Sequence, residues 1–120
     1  MKKKTLVLGA SLKRNRYSNY AIQRLVANEF EVVAFGLKKG EVSGIQIENE
    51  LILYRNIHTV TLYLNPKRQR DYYDYIVSLK PERVIFNPGT ENSEFYKILK
   101  ENDIAYEVAC TLVLLATNQY

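Results

Sequence analysis

The stretch Thr5-Leu6-Val7-Leu8-Gly9-Ala10-Ser11, continuing through Lys13-Arg14-Asn15-Arg16-Tyr17 to a helix start near Ser18, decides the fold. An apolar run is broken by a glycine and small residues, then come cations, then a helix. That is the local order of a strand, a turn and a helix whose free amides face an anion. The helix candidate runs from about Ser18 to Asn28, with Ala21, Ile22, Leu25 and Val26 at helical spacing and Ser18 as its expected cap. Glu31-Val32-Val33-Ala34-Phe35 then reads as a buried strand, closed by Gly36 and the Lys38-Lys39-Gly40 turn. A strand, a helix and a second strand joined in this way pair in parallel.

Downstream the alternation continues. Gly44-Ile45-Gln46-Ile47 has the pattern of an edge strand able to pair with a second copy, and Leu51 to Tyr54 fits either a strand or one helical turn. His58 to Leu64 is rich in β-branched and aromatic residues and stops at Asn65-Pro66, where Pro66 suits the first turn of a helix. Tyr72, Tyr73, Ile76 and Val77 form that helix's apolar stripe. Arg83 to Phe86 is a strand, Asn92 or Ser93 caps a helix bearing Phe95, Ile98 and Leu99, and Ile104 to Val108 is a last strand. Cys110 to Leu115 is apolar without a period and fits a helix or a strand. The expected architecture is one α/β domain over residues 1–120: a three-layer Rossmann-like fold with a mainly parallel sheet of about five strands and helices on both faces.

Composition narrows the function classes. The 120 residues are 47% apolar and 25% charged, an ordinary globular balance. No apolar run approaches a membrane span, and the basic start from Met1 to Lys4 precedes too few apolar residues for a signal peptide, so a cytoplasmic location is expected. One cysteine and one histidine supply neither a disulfide nor a zinc ligand set. Of 17 basic residues, eight follow strand ends: Lys13, Arg14, Arg16, Lys38, Lys39, Lys67, Arg68 and Arg70. With the strands parallel, those ends share one rim, and positive potential gathers over one crevice.

The crevice is not a standard dinucleotide or triphosphate site. Counting from Gly9, the second and third glycines of the dinucleotide fingerprint are replaced by Ser11 and Arg14, and no acidic residue follows the second strand. Lys38 and Lys39 stand there instead, which favours a phosphate on the ribose, as in NADP or coenzyme A. No Walker-type string occurs. Gly9, Ala10 and Ser11 are small enough for a diphosphate to approach the backbone, with Arg14 or Arg16 beside it.

Gly9-Ala10-Ser11, the run Arg16-Tyr17-Ser18-Asn19-Tyr20-Ala21, Asn65-Pro66, and Asn87-Pro88-Gly89-Thr90-Glu91 followed by Cys110 resemble the small CoA-binding domain proteins of bacteria. Their fold is similar to the amino-terminal domain of the succinyl-CoA synthetase α subunit. The resemblance implies a bound coenzyme A or acyl-CoA, its diphosphate near Ser11 and Arg16, Tyr17 and Ser18. It implies an adenosine portion near Phe35 to Lys39 and Leu64 to Pro66, with Pro88, Gly89, Thr90 and Glu91 at the same rim.

No catalytic set converges in the sequence. Cys110 reads as a small apolar residue, His58 as a strand-start residue with one hydrogen bond, and Glu91 as a complement to a helix dipole. Of Tyr72, Tyr73 and Tyr75, two fall on the helix's apolar face and read as packing against the sheet before they read as a base-stacking platform. Three functions follow from these readings. They are non-catalytic binding of CoA or acyl-CoA, an NADP-type oxidoreductase, and, from the pI of about 9.1 and the tyrosines, a basic nucleic-acid binder lacking any recognised motif.

Overall fold

The computed structural model describes residues 3–120; Met1 and Lys2, where the basic start begins, lie outside the described residues. The first strand, β1 (Thr5–Ala10), is followed by α1 (Tyr17–Ala27), β2 (Val32–Gly36) and a short hairpin, β3 (Gly40–Val42) and β4 (Ile45–Glu48). Then come β5 (Thr59–Leu62), α2 (Pro66–Gln69), a 3-10 turn (Arg70–Tyr72) and α3 (Tyr73–Leu79). The chain continues through β6 (Arg83–Phe86), α4 (Ser93–Glu101), β7 (Ala105–Val108) and α5 (Thr111–Ala116).

The strands form one sheet in the order β3-β4-β2-β1-β5-β6-β7. Every pairing is parallel except β3 with β4. The α/β architecture read from the sequence is therefore the one observed, but the sheet has seven strands where about five were expected. The difference lies in the hairpin. Residues 44–47 were expected to form an edge, yet β4 is flanked by β2 on one side and by β3 on the other, so β3 is the edge on that side. A three-residue strand such as β3 is too short to announce itself by alternation.

Alternation along β1 explains the layers. Leu6 and Leu8 face one side with Val60, Leu62, Val84, Phe86, Ile76 and Phe95, while Val7 and Ala10 face the other with Ile22, Leu25, Ala34 and Ile47. A side chain three positions from Val7 shares its face because the register shifts between Leu8 and Ala10. Gly9, at φ +97°, is the extra residue. Full burial of each such aliphatic side chain is worth roughly 1.5–3 kcal/mol before the ordering cost.

Two local expectations are corrected, and a third narrows to one of its two alternatives. Ser18 does not cap α1: the N-cap is Arg16, with no side-chain capping bond, and Ser18 is buried inside the first turn. Residues 51–54 are neither strand nor helix. They belong to an extended strap that returns from β4 to β5, where the Tyr75 hydroxyl donates to the Ile52 carbonyl at 2.6 Å. The apolar tail resolves as α5, which packs on α1. Two of the three tyrosines at the start of α3 were expected to pack inward, and all three do. The Tyr72 ring meets Phe35 edge-on at 5.4 Å, Tyr73 stacks on Phe95 at 4.4 Å, and Tyr75 is buried.

The two ends of the sheet differ. At the amino ends of the strands, Arg83 donates through Nε to Thr59 Oγ1 at 2.8 Å and through Nη1 to Glu107 at 3.0 Å. Its guanidinium lies 4.5 Å from the Tyr120 ring centroid, and the Tyr120 hydroxyl bonds the Thr5 hydroxyl. His58 sits at this end, its Nδ1 bonded to Thr59 Oγ1 at 2.8 Å, and burial lowers its proton affinity. The carboxyl ends carry the loops that the sequence singled out.

Candidate functional site

Strand β1 is the reversal point of the sheet, because the chain leaves it toward β2 on one side and resumes with β5 on the other. In open α/β sheets the loops diverge at this point and leave a crevice above the carboxyl ends of the strands. Here it is bordered by the β1–α1 loop, the β2–β3 turn, the β5–α2 loop and the β6–α4 loop. The structure thus brings the predicted residues of all four segments to one edge of the sheet.

The β1–α1 loop is held by its own side chains. The Asn19 amide, buried within α1, donates to the Ser11 carbonyl at 2.9 Å, and Gln23 donates to the Asn19 Oδ1 at 2.6 Å. The Ser11 hydroxyl accepts from the Lys13 amide at 3.1 Å. Gly9 is required by packing: a Cβ there would come to 3.0 Å from both the Leu64 side chain and the Tyr63 backbone. Gly36 is tighter still, since a Cβ would meet the Ala10 carbonyl oxygen at 2.2 Å. The smallness of Gly9 therefore lets the chain after β5 approach β1.

Beyond that loop α1 opens without a side-chain cap and without an acidic residue in its first turn. Lys13, Arg14 and Arg16 precede it and are exposed, and Tyr17 presents two thirds of its surface to solvent. An unscreened helix amino terminus behind three cations attracts an anion. Lys38 and Lys39 are exposed on the neighbouring turn. Phe35, expected beside them as an adenosine contact, is buried with its ring against Tyr72. It is a core residue, and the wall on this side begins at Gly36 and Leu37.

The opposite wall is built from buried amides. Asn65 caps α2 by accepting from the Arg68 amide at 2.9 Å, with Pro66 in the first turn. Asn87 donates to Thr61 Oγ1 at 2.7 Å and to the Leu62 carbonyl at 2.9 Å, and accepts from the Thr111 amide at 2.8 Å. Thr90 is buried, and its hydroxyl donates to the Asn87 carbonyl at 2.7 Å. Pro88 and Gly89 are exposed, and Glu91 folds back to accept from the Gly89 amide at 2.9 Å, so its carboxylate braces the turn ahead of α4.

Gln69 is a residue the sequence did not single out. It is fully buried, and its Nε2 donates to the Leu64 carbonyl and to the Thr90 carbonyl, both at 2.8 Å. Its Oε1 accepts from Asn92 at 2.8 Å, and Asn92 also donates to the Tyr73 hydroxyl and caps α4. Burial raises the Tyr73 pKa, so at neutral pH the phenol is a donor, toward Glu94 at 3.0 Å. Above this network lies an open cleft of about 350 Å³ lined by Pro66, Lys67, Arg70, Tyr73, Asn92 and Glu94. The signal that would have found Gln69 is an uncharged side chain inside the basic run Lys67-Arg68-Gln69-Arg70.

The fold and this edge define a class, a Rossmann-like α/β protein with exposed cations on the loops at the reversal point of its sheet. The model of the CoA binding domain matches residues 3–116, and the chain belongs to that family. No curated protein matches it. Among solved structures, an uncharacterized protein is 50% identical, with a TM-score of 0.96 over 100% of this chain and 99% of that one. A hypothetical protein from Pyrococcus horikoshii OT3 is 27% identical, with a TM-score of 0.83 over 93% and 80%. A Thermus thermophilus protein is 23% identical, with a TM-score of 0.85 over 99% and 91%, a likeness of fold alone.

Proposed function

We propose that this protein binds coenzyme A or an acyl-CoA in the crevice above β1 and performs no chemistry on it. The observation that carries the reading is the uncapped amino terminus of α1 behind Lys13, Arg14 and Arg16, which supplies backbone donors and positive charge for a diphosphate. Family membership supports the same ligand. The nucleotide lies between the β2–β3 turn and the Leu64–Pro66 segment, its 3′-phosphate toward Lys38 and Lys39. The pantetheine arm leaves past Asn65 and Pro66 toward the loop of Pro88, Gly89, Thr90 and Glu91.

Lys38 and Lys39 also suit the 2′-phosphate of NADP, which is the second reading. Calorimetric titration with CoA, dephospho-CoA and NADP separates the two. CoA is expected to bind most tightly, and removal of its 3′-phosphate costs about ten-fold or more in affinity, the loss of one charge-assisted contact. In the Lys38→Ala, Lys39→Ala double variant CoA falls to the level of dephospho-CoA. Tighter binding of NADP than of CoA overturns the proposal, and so does an unchanged CoA affinity in the double variant for this placement of the phosphate.

A further inference from the structure

We infer that Gln69 is a positioning residue for the pantetheine arm, setting the separation of the two loops between which that arm leaves the crevice; this rests on the coenzyme A reading. The geometry is particular. One fully buried amide sits at the end of the four-residue helix α2, where the chain changes to a 3-10 turn. Its two donor bonds go to carbonyls in different segments, Leu64 after β5 and Thr90 after β6, and its acceptor bond comes from the residue that caps α4. All three bonds cross between segments, so a single side chain ties the β5–α2 loop, the β6–α4 loop and the start of α4 into one body.

Backbone carbonyls cannot be replaced by apolar groups. An apolar residue at 69 therefore leaves Leu64 O and Thr90 O without the donor they share, and the loops relax apart. The three flanking cations, Lys67, Arg68 and Arg70, are exposed while Gln69 is fully enclosed, so the basic run places its one neutral member inward. The phosphates of the ligand are held on the other side of β1, by the start of α1 and by Lys38 and Lys39, none of which Gln69 touches. Leu64 is the one bonded partner that also borders the nucleotide, so the influence of Gln69 falls mainly on the arm that passes Asn65–Pro66 and Pro88–Glu91.

The test compares CoA with adenosine 3′,5′-bisphosphate, which lacks the pantetheine arm, on the full chain by calorimetry. Gln69→Met is expected to weaken CoA by about ten-fold, with bisphosphate affinity kept within about two-fold, since distant sites act independently. Asn92→Ser retains a capping residue for α4 but removes the donor to Gln69 Oε1, and is expected to shift CoA affinity in the same direction by about three-fold. It also carries the test if Gln69→Met does not fold. Affinities for both ligands unchanged in a destabilised variant, or both reduced equally, overturn the positioning role. A wild-type protein that binds no CoA overturns the coenzyme A reading itself, which the variants cannot do.

Discussion

The two walls of the crevice are made differently. On the β1–β2 side the exposed groups are cations with few side-chain partners, and the shape is set by two close backbone approaches, at Gly9 and Gly36. On the β5–β6 side the exposed surface is a pair of proline turns, and the shape is set by enclosed amides, Gln69, Asn87 and Asn92, each bonded to more than one segment. One wall is an exposed electrostatic lip on a sterically fixed base; the other is a stapled frame. A ligand with a polyanionic end and a neutral amide-rich arm matches that division, the charged end calling for cations and the arm for fixed geometry.

Breaking the steric base has the largest effect. Gly36→Ala places a Cβ against the Ala10 carbonyl oxygen, backbone against backbone, where no side chain can yield. It is expected to cost about 4 kcal/mol or more in unfolding free energy, read from denaturant titration. Breaking the stapled frame is next. Asn87→Ala removes bonds to Thr61, Leu62 and Thr111 in a buried setting, with an expected loss of about 3 kcal/mol. A loss under about 1 kcal/mol means that water replaces these bonds and the frame is looser than described.

The lip behaves in the opposite way. Arg16 is exposed, and among the described residues its side chain makes no capping bond or ion pair, so Arg16→Ala is expected to leave stability within about 0.5 kcal/mol. CoA affinity falls by about ten- to a hundred-fold, the range of a charged hydrogen bond. Equal loss of stability and affinity would erase the distinction between lip and frame.

The same division explains what was legible in the sequence. β1, β2, β5, β6 and β7 are short stretches rich in apolar and β-branched residues between turn residues, and the parallel order follows from the helices between them. The eight strand-end cations were legible for the same reason, since the carboxyl edge of a parallel sheet is fixed once the strands are. What stayed hidden depends on tertiary contacts. Strand β3 is too short for a period, the strap at 49–56 has the composition of a strand, and Ser18 has the type of a cap but lies two residues past the N-cap Arg16. Phe35 alternates correctly, yet its ring belongs to the core, because the face of β2 it occupies is covered by Tyr72. Gln69 gave one sign, an uncharged residue inside a basic run, but a glutamine among cations reads as surface until the two inward carbonyls it bonds are known.

The central claim is that the ligand lies on the carboxyl edge above β1. Backbone amide chemical-shift mapping during titration with CoA tests it most directly. The account predicts the largest shifts at Ser11 to Asn19, Gly36 to Lys39 and Lys67, with smaller ones at Gly89 to Glu91. Shifts concentrated instead in the groove between α1 and α5, at Arg24, Leu112 and Leu115, or no shifts at saturating CoA, would contradict it.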